Sequence, residues 1–277
     1  MAGWARIIAA AALLTPPPSL WAQGEPVSLR YSAAQLNCAR FLEDSESKIL
    51  TEAGRREQHQ TTGRHGIWRF TAGPDSAGIA LEGWLDSLAI WRQLRTSVVR
   101  PDTDGLLGGR YRGLLTPDGV YQSRKVPFVP AEVAELADMA TALDDLLPPL
   151  PDQPLRPGQA WTDSAGVTVR RLADSGMSGV PLYRYQLEER RTTNAAEVPG
   201  DTTVIRLRQT SEERGTFVWH PSVGLIRRER HITLKTTVPA RGVVQQTVRS
   251  RIEQKITLTR DLNLPPEIAG RCAENPA

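Results

Sequence analysis

Residues 243–259 read VVQQTVRSRIEQKITLT. Within them Val248, Ile252, Ile256 and Leu258 take one parity, while Arg249, Arg251, Glu253, Lys255 and Thr257 take the other. Side chains of an extended chain alternate between two faces, so this period of two predicts a half-buried β-strand. The run far exceeds the roughly five or six residues of an average strand, which predicts a tall, curved sheet. Just upstream, residues 216–219 and 225–236 repeat the pattern on either side of His220, Pro221, Ser222, Val223 and Gly224, a composition suited to a hairpin turn. Residues 203–210, 182–191 and 167–172 extend the series through short polar connections.

The first half carries the same signature in residues 67–70 and 79–94. In the latter, Trp84, Leu88 and Ile90 share one face and Leu81, Leu85 and Trp91 the other, which predicts a strand covered on both sides. Residues 110–115 and 120–124 form a further hairpin around Thr116, Pro117, Asp118 and Gly119: proline fixes φ, aspartate supplies a side-chain hydrogen bond, and glycine takes φ > 0. Between the two β halves, 23–129 and 160–264, Val133, Leu136, Ala140, Leu143 and Leu147 recur at three- and four-residue steps. That spacing predicts one amphipathic helix over residues 130–147, opened by Pro130 with Glu132 and Glu135 at its positive end and stopped by Pro148 and Pro149. Residues 148–160 are a proline-rich connector, either a linker between domains or a rigid crossover within one fold. The fold class is therefore mainly β: a large curved antiparallel sheet or open β-barrel with one central amphipathic helix.

The amino terminus predicts export. Arg6 is the only charge before Glu25, the apolar run 7–14 follows it, and Pro16, Pro17 and Pro18 end that run, the order of a cleavable signal peptide over residues 1–22 with cleavage after Ala22. The run is too short for the roughly 20 apolar residues of a membrane-spanning helix, and Cys38 lies too far downstream for a lipoprotein anchor. The remaining chain, 23–277, has the composition of a soluble globular protein that is not membrane-spanning, 40% hydrophobic and 23% charged overall. Its near-neutral balance, +3 before removal of Arg6, lacks the clustered basic tails of a nucleic-acid partner. Export to the periplasm or beyond also lets Cys38 and Cys272 form a disulfide that would bring the termini together; two separate thiols are the alternative.

Two stretches carry resemblances. The predicted helix followed by Leu147, Pro148, Pro149, Leu150 and Pro151, then Pro157, Gly158 and Trp161, resembles a recurring segment of exported bacterial β proteins of unknown function. The pattern of long antiparallel strands around a helix is similar to the open β-barrel of periplasmic lipoprotein-localisation carriers. The second likeness is architectural and spans most of the exported chain without matching specific binding residues. It implies an apolar cavity between sheet and helix that shelters acyl chains.

Motifs for chemistry are sparse. His59, His65, His220 and His231 lack metal-ligand spacing, and no metal or other cofactor is expected. Asp102, Asp104 and Gly105 echo the start of a calcium loop, but Gly113 stands where its last ligand belongs, leaving a polar turn. Gly105, Gly108, Gly109 and Gly113 lack a nucleotide-binding pattern and suit turns or bulges. No Gly-x-Ser-x-Gly elbow is present. The acidic pairs Asp144 with Asp145, Glu188 with Glu189 and Glu212 with Glu213 read as solvated faces. Arginines two apart recur as Arg206 and Arg208, Arg228 and Arg230, Arg249 and Arg251. They predict either a guanidinium stripe for anionic contacts or cross-strand ion pairs with Glu188, Glu229 and Glu253.

The combined expectation is an exported, non-enzymatic binding or carrier protein whose concave β face and helix enclose a lipid or other apolar ligand. Trp84, Trp91, Val133, Leu136, Ala140 and Leu143 are the expected ligand contacts. An envelope scaffold or protein-interaction module, with an envelope protein as partner, is the alternative. An enzyme would instead show a polar pocket with convergent titratable groups.

Overall fold

The computed structural model describes residues 24–177, 179–193, 207–240 and 246–263. The predicted signal peptide, Arg206 and Cys272 lie outside them. Strands β1 (Arg40–Ala53), β2 (Arg56–Asp75) and β3 (Gly78–Gln93) follow a short helix α1 (Ala33–Leu36); β4 (Val98–Val99), β5 (Tyr111–Leu115) and β6 (Tyr121–Lys125) close the first half. After a single helical turn, α2 (Ala131–Ala134), come β7 (Ala160–Thr162), β8 (Thr168–Arg171), β9 (Ser175–Met177), β10 (Val180–Thr193), β11 (Arg208–His220), β12 (Gly224–Val238) and β13 (Val248–Arg260).

All thirteen described strands join one antiparallel sheet in the order β6-β5-β3-β2-β1-β13-β12-β11-β10-β8-β7, with β4 on β3 and β9 on β10. The sheet does not close into a barrel. Because β1 pairs with β13 from Phe41 opposite Arg260 to Ala53 opposite Val248, the two β halves share a continuous hydrogen-bonded ladder. The β1–β2 hairpin turns at Gly54, whose φ of 61° is the left-handed conformation a tight turn requires.

One bulge settles the two-sided pattern of β3. Ile67 pairs with Ser87 but Trp68 with Leu85, so Asp86 has no opposite number. An extra residue flips the parity of a strand: the inward residues are Ile79, Leu81 and Leu85 before the bulge and Leu88 and Ile90 after it. β3 therefore has one buried face, and Trp84 and Trp91 both stand on the outer one. Trp84 lies under the Arg110 guanidinium, 3.7 Å from ring centroid, and donates to Asp86 at 3.1 Å. The Trp91 ring covers Gly63 on β2, where a side chain would collide with it.

The predicted helix over residues 130–147 is not formed. Only α2 is helical; beyond it the Asp138 carboxylate accepts from the backbone N–H groups of Ala140 and Thr141 and from the Thr141 hydroxyl. This competing local bond stops the helical ladder, and the chain runs on through turns as a strap across the concave face. Its apolar spacing still serves burial: Val133, Met139, Leu143, Leu146 and Leu147 are in the core. Ala140, expected inside, is exposed, and Met139 takes the buried place.

The core sits between one end of the concave face and this strap. Phe41, Trp68, Phe70, Tyr111, Tyr185 and Phe217 are fully buried there, with edge-on and stacked ring contacts among them at 4.9–6.2 Å. The segment before α1 closes the same end, where the Tyr31 hydroxyl donates to the Pro148 carbonyl at 3.0 Å and its ring packs edge-on against Trp219. Among the described residues no helix is long and apolar enough to cross a membrane.

Candidate functional site

The register lays out the concave face in rows. Glu43, Leu258 and Arg228 lie side by side on β1, β13 and β12 at strap level. The next row is Arg64, Ser45, Ile256 and Arg230, then Thr62, Ser47, Gln254, Ile232 and Glu213, then Gln60, Ile49, Ile252 and Leu234. The strap crosses the first row and reaches the second, where it meets Arg64 and Arg230. From its margin outward Ile49, Ile232, Leu234, Ile252 and Ile256 form a half-buried aliphatic patch that is separate from the core cluster. Neighbouring strands lie about 4.8 Å apart and same-face residues about 6.7 Å apart, so the patch spans roughly 10 Å by 13 Å. On the opposite face the same strands carry Glu46, Lys48, Arg249, Arg251, Glu253 and Lys255, all exposed.

Two cavities open where strap and patch meet. One, of about 330 Å³, is lined by Ile49, Ile232, Ile252 and Ile256 from the sheet and by Leu136, Ala137 and Ala142 from the strap. The other, of about 440 Å³, lies on the β10–β11 side and is more polar, with Tyr121, Glu189, Glu213, Arg228 and Arg230 in its wall. Arg230, Ile232 and Asp145 border both. Together they make a trough, floored by the sheet and walled on one side by the strap.

Buried charges fasten that wall. Arg230 grips the Glu213 carboxylate with Nε at 2.8 Å and Nη2 at 2.6 Å, a bidentate pair, and Arg228 adds a bond to Glu213 at 3.3 Å. Both guanidinium groups also donate to the Asp145 carbonyl, at 2.5 and 3.0 Å, which ties the strap to β12. Burial alone would raise the Glu213 carboxyl, but hydrogen bonds and charge from Arg230 and Arg228 outweigh it and hold the group below the ordinary glutamate value. Burial and the Arg230 charge lower Arg228 to about 10. Across from Glu213 in register, Glu189 is raised, mainly by burial, against the opposing effect of Arg191. At the other end of the strap Arg64 pairs with Glu43, whose second oxygen accepts from Trp68 Nε1 at 2.7 Å, and Arg64 Nη1 reaches Met139 Sδ at 3.3 Å.

These placements sort the residues singled out from sequence. Of the expected ligand contacts, only Leu136 lines the trough; Val133 and Leu143 are core, Ala140 is exposed, and Trp84 and Trp91 face away. The arginine stripe is split: Arg228 and Arg230 point inward, whereas Arg249 and Arg251 are exposed on the outer face, where Arg251 pairs with Glu253 at 2.5 Å. Glu213, read as a solvated strand residue, is buried. Sequence reading missed Ile49, Ile232 and Leu234 as a set because their meeting depends on pairing between distant strands. Among the described residues no group of three or more metal-ligating side chains comes together.

No protein-family model and no curated protein matches the sequence. Among solved structures the chain is similar to lipovitellin, studied for lipid–protein interactions, with a TM-score of 0.44 and 11% identity over 82% of this chain. It spans 25% of that lipovitellin chain. It is also similar to a DUF1329 family protein from Desulfovibrio piger, with a TM-score of 0.20 and 10% identity over 83% of this chain and 90% of that one. At these values neither likeness carries an argument about activity.

Proposed function

We propose that this is an exported, non-enzymatic carrier that shelters the apolar part of a lipid or acylated protein in the trough between the strap and the upper concave face. The observation that carries this reading is the aliphatic patch of Ile49, Ile232, Leu234, Ile252 and Ile256: it continues the buried face of an amphipathic sheet past the point where the described chain covers it. A β-sheet with one apolar face is stable in water when another layer covers that face, and a hydrocarbon chain supplies such a layer. Each methylene it buries contributes about 0.8 kcal/mol before the cost of ordering the chain. The neighbouring charges are held by partners within the protein, so the apolar patch carries the affinity.

Protein purified from its host and sprayed under native conditions is expected to carry bound lipid. The double substitution Ile232→Asp with Ile252→Asp, at half-buried positions outside the core, is expected to abolish co-purification and uptake of a fluorescent acyl probe while leaving the circular dichroism spectrum unchanged. An empty wild-type monomer that takes up no probe would sink the carrier reading. Capture of a specific envelope protein without lipid would favour the scaffold alternative.

A further inference from the structure

The edge of the sheet where the strap begins carries a second surface, independent of the trough. Phe128 is 80% exposed and Val126 41% exposed, and Leu107, in the loop between Gly105 and Gly109 on which Pro130 and Pro127 lie, is 36% exposed. Phe128 is presented by a rigid mount. Pro127 lies against Gly109, Pro130 approaches Gly105, and the next residue, Val129, packs on the core, so the chain is held on both sides of the exposed ring. Immediately before it, Arg124 and Lys125 on the terminal strand β6 are exposed, with no ion pair among the described residues. Their neighbours Arg110 and Arg112 share a single carboxylate, Glu82, at 3.4 and 2.5 Å, and Lys125 is the register partner of Arg112.

A fixed aromatic side chain projecting beside unneutralised cations matches the chemistry of an anionic bilayer surface. The ring and its aliphatic neighbours gain by entering the boundary between head groups and acyl chains, and the cations are drawn to anionic phosphates. A protein partner of the same character would need acidic groups arranged around an apolar pocket; a bilayer offers both without a defined shape. We propose that the edge formed by Leu107, Arg124, Lys125, Val126 and Phe128 docks this protein on anionic membrane surfaces. Residue 128 stands two positions before the strap, so docking places the covering element of the trough next to the lipid.

The test is co-sedimentation of the full chain with phosphatidylcholine vesicles, with and without phosphatidylglycerol. Wild-type protein is expected to bind the anionic vesicles and to release them in high salt. Phe128→Ser, and separately the pair Arg124→Gln with Lys125→Gln, are each expected to weaken that binding about tenfold. Phe128→Trp is expected to keep it. The pair Arg249→Gln with Arg251→Gln, on the outer face, removes the same charge elsewhere and is expected to leave it unchanged. The proposal is overturned by wild-type protein that stays in the supernatant, by full binding of Phe128→Ser, or by equal loss in the outer-face pair. It is also overturned if Phe128→Ser instead dissolves a dimer formed through β6. Retention of bound lipid by Phe128→Ser would separate a failure here from a failure of the carrier reading.

Discussion

Glu213 stands on β11 opposite Ile232 on one side and Glu189 on the other, buried, with two arginines on its oxygens. Removing one partner from a buried ionic cluster leaves uncompensated charge, so Glu213→Gln should cost about 3 kcal/mol or more, read from urea denaturation at neutral pH. The pH dependence follows from the depressed carboxyl. In the unfolded chain Glu213 titrates near 4.5, in the fold below it, so its contribution is full above that value and is lost as pH falls through the folded value. The stability gap between wild type and Glu213→Gln is therefore expected to shrink from pH 5 downward, and a gap that stays constant to acid pH would contradict the assignment. Glu189 works in the opposite sense, since its raised carboxyl gains stability on protonation, which is why the comparison needs the variant. None of this was legible locally: Glu212 and Glu213 look alike in the chain, and only cross-strand neighbours separate the half-buried one from the buried one.

At the scale of elements, the strap is the part that sequence periodicity misread. Three- and four-residue spacing reports which residues are buried together, and it found Val133 and Leu143 correctly. It does not report whether backbone hydrogen bonds close into a helix, and Asp138 diverts them. Asp138→Ala is expected to cost about 1 kcal/mol through loss of these turn bonds, with no gain in far-ultraviolet helix signal; a clear gain would show that the whole segment prefers the helix. Leu143→Ala removes a fully packed side chain that lies near Phe70 and Gly83. Its expected cost is about 2–5 kcal/mol, accompanied by faster proteolysis within the strap. On β3 the equivalent lesson concerns parity. Both faces of residues 79–94 looked apolar because a bulge at Asp86 moved the buried set from odd to even positions.

For the whole molecule, the joining of the two β halves through β1 and β13 has a consequence for unfolding. Neither half owns the core: the strap crosses from β3, where Glu135 accepts from Arg92, to β12, where Asp145 accepts from Arg228 and Arg230. Equilibrium denaturation is expected to be one cooperative transition, with near- and far-ultraviolet signals coincident. Two resolved transitions would mean that the halves are separate folding units. The same connectivity bears on the connector, which is pinned by Arg30 donating to the Pro151 and Asp152 carbonyls and by the Val27–Leu155 bridge. These bonds hold the connector against the amino-terminal segment.

The chain by itself determined that this protein is built from long antiparallel strands with polar turns, because side-chain alternation and turn chemistry are local properties that survive in any tertiary setting. It also determined which strap residues are apolar. Only the tertiary structure decided which face of each strand is inside, how far the cover reaches, and that the arginines two apart divide between a buried latch and an exposed surface. Those outcomes rest on register between strands far apart in sequence, on one inserted residue, and on one aspartate competing for backbone hydrogen bonds. The trough exists because a cover of fixed length crosses a sheet taller than itself.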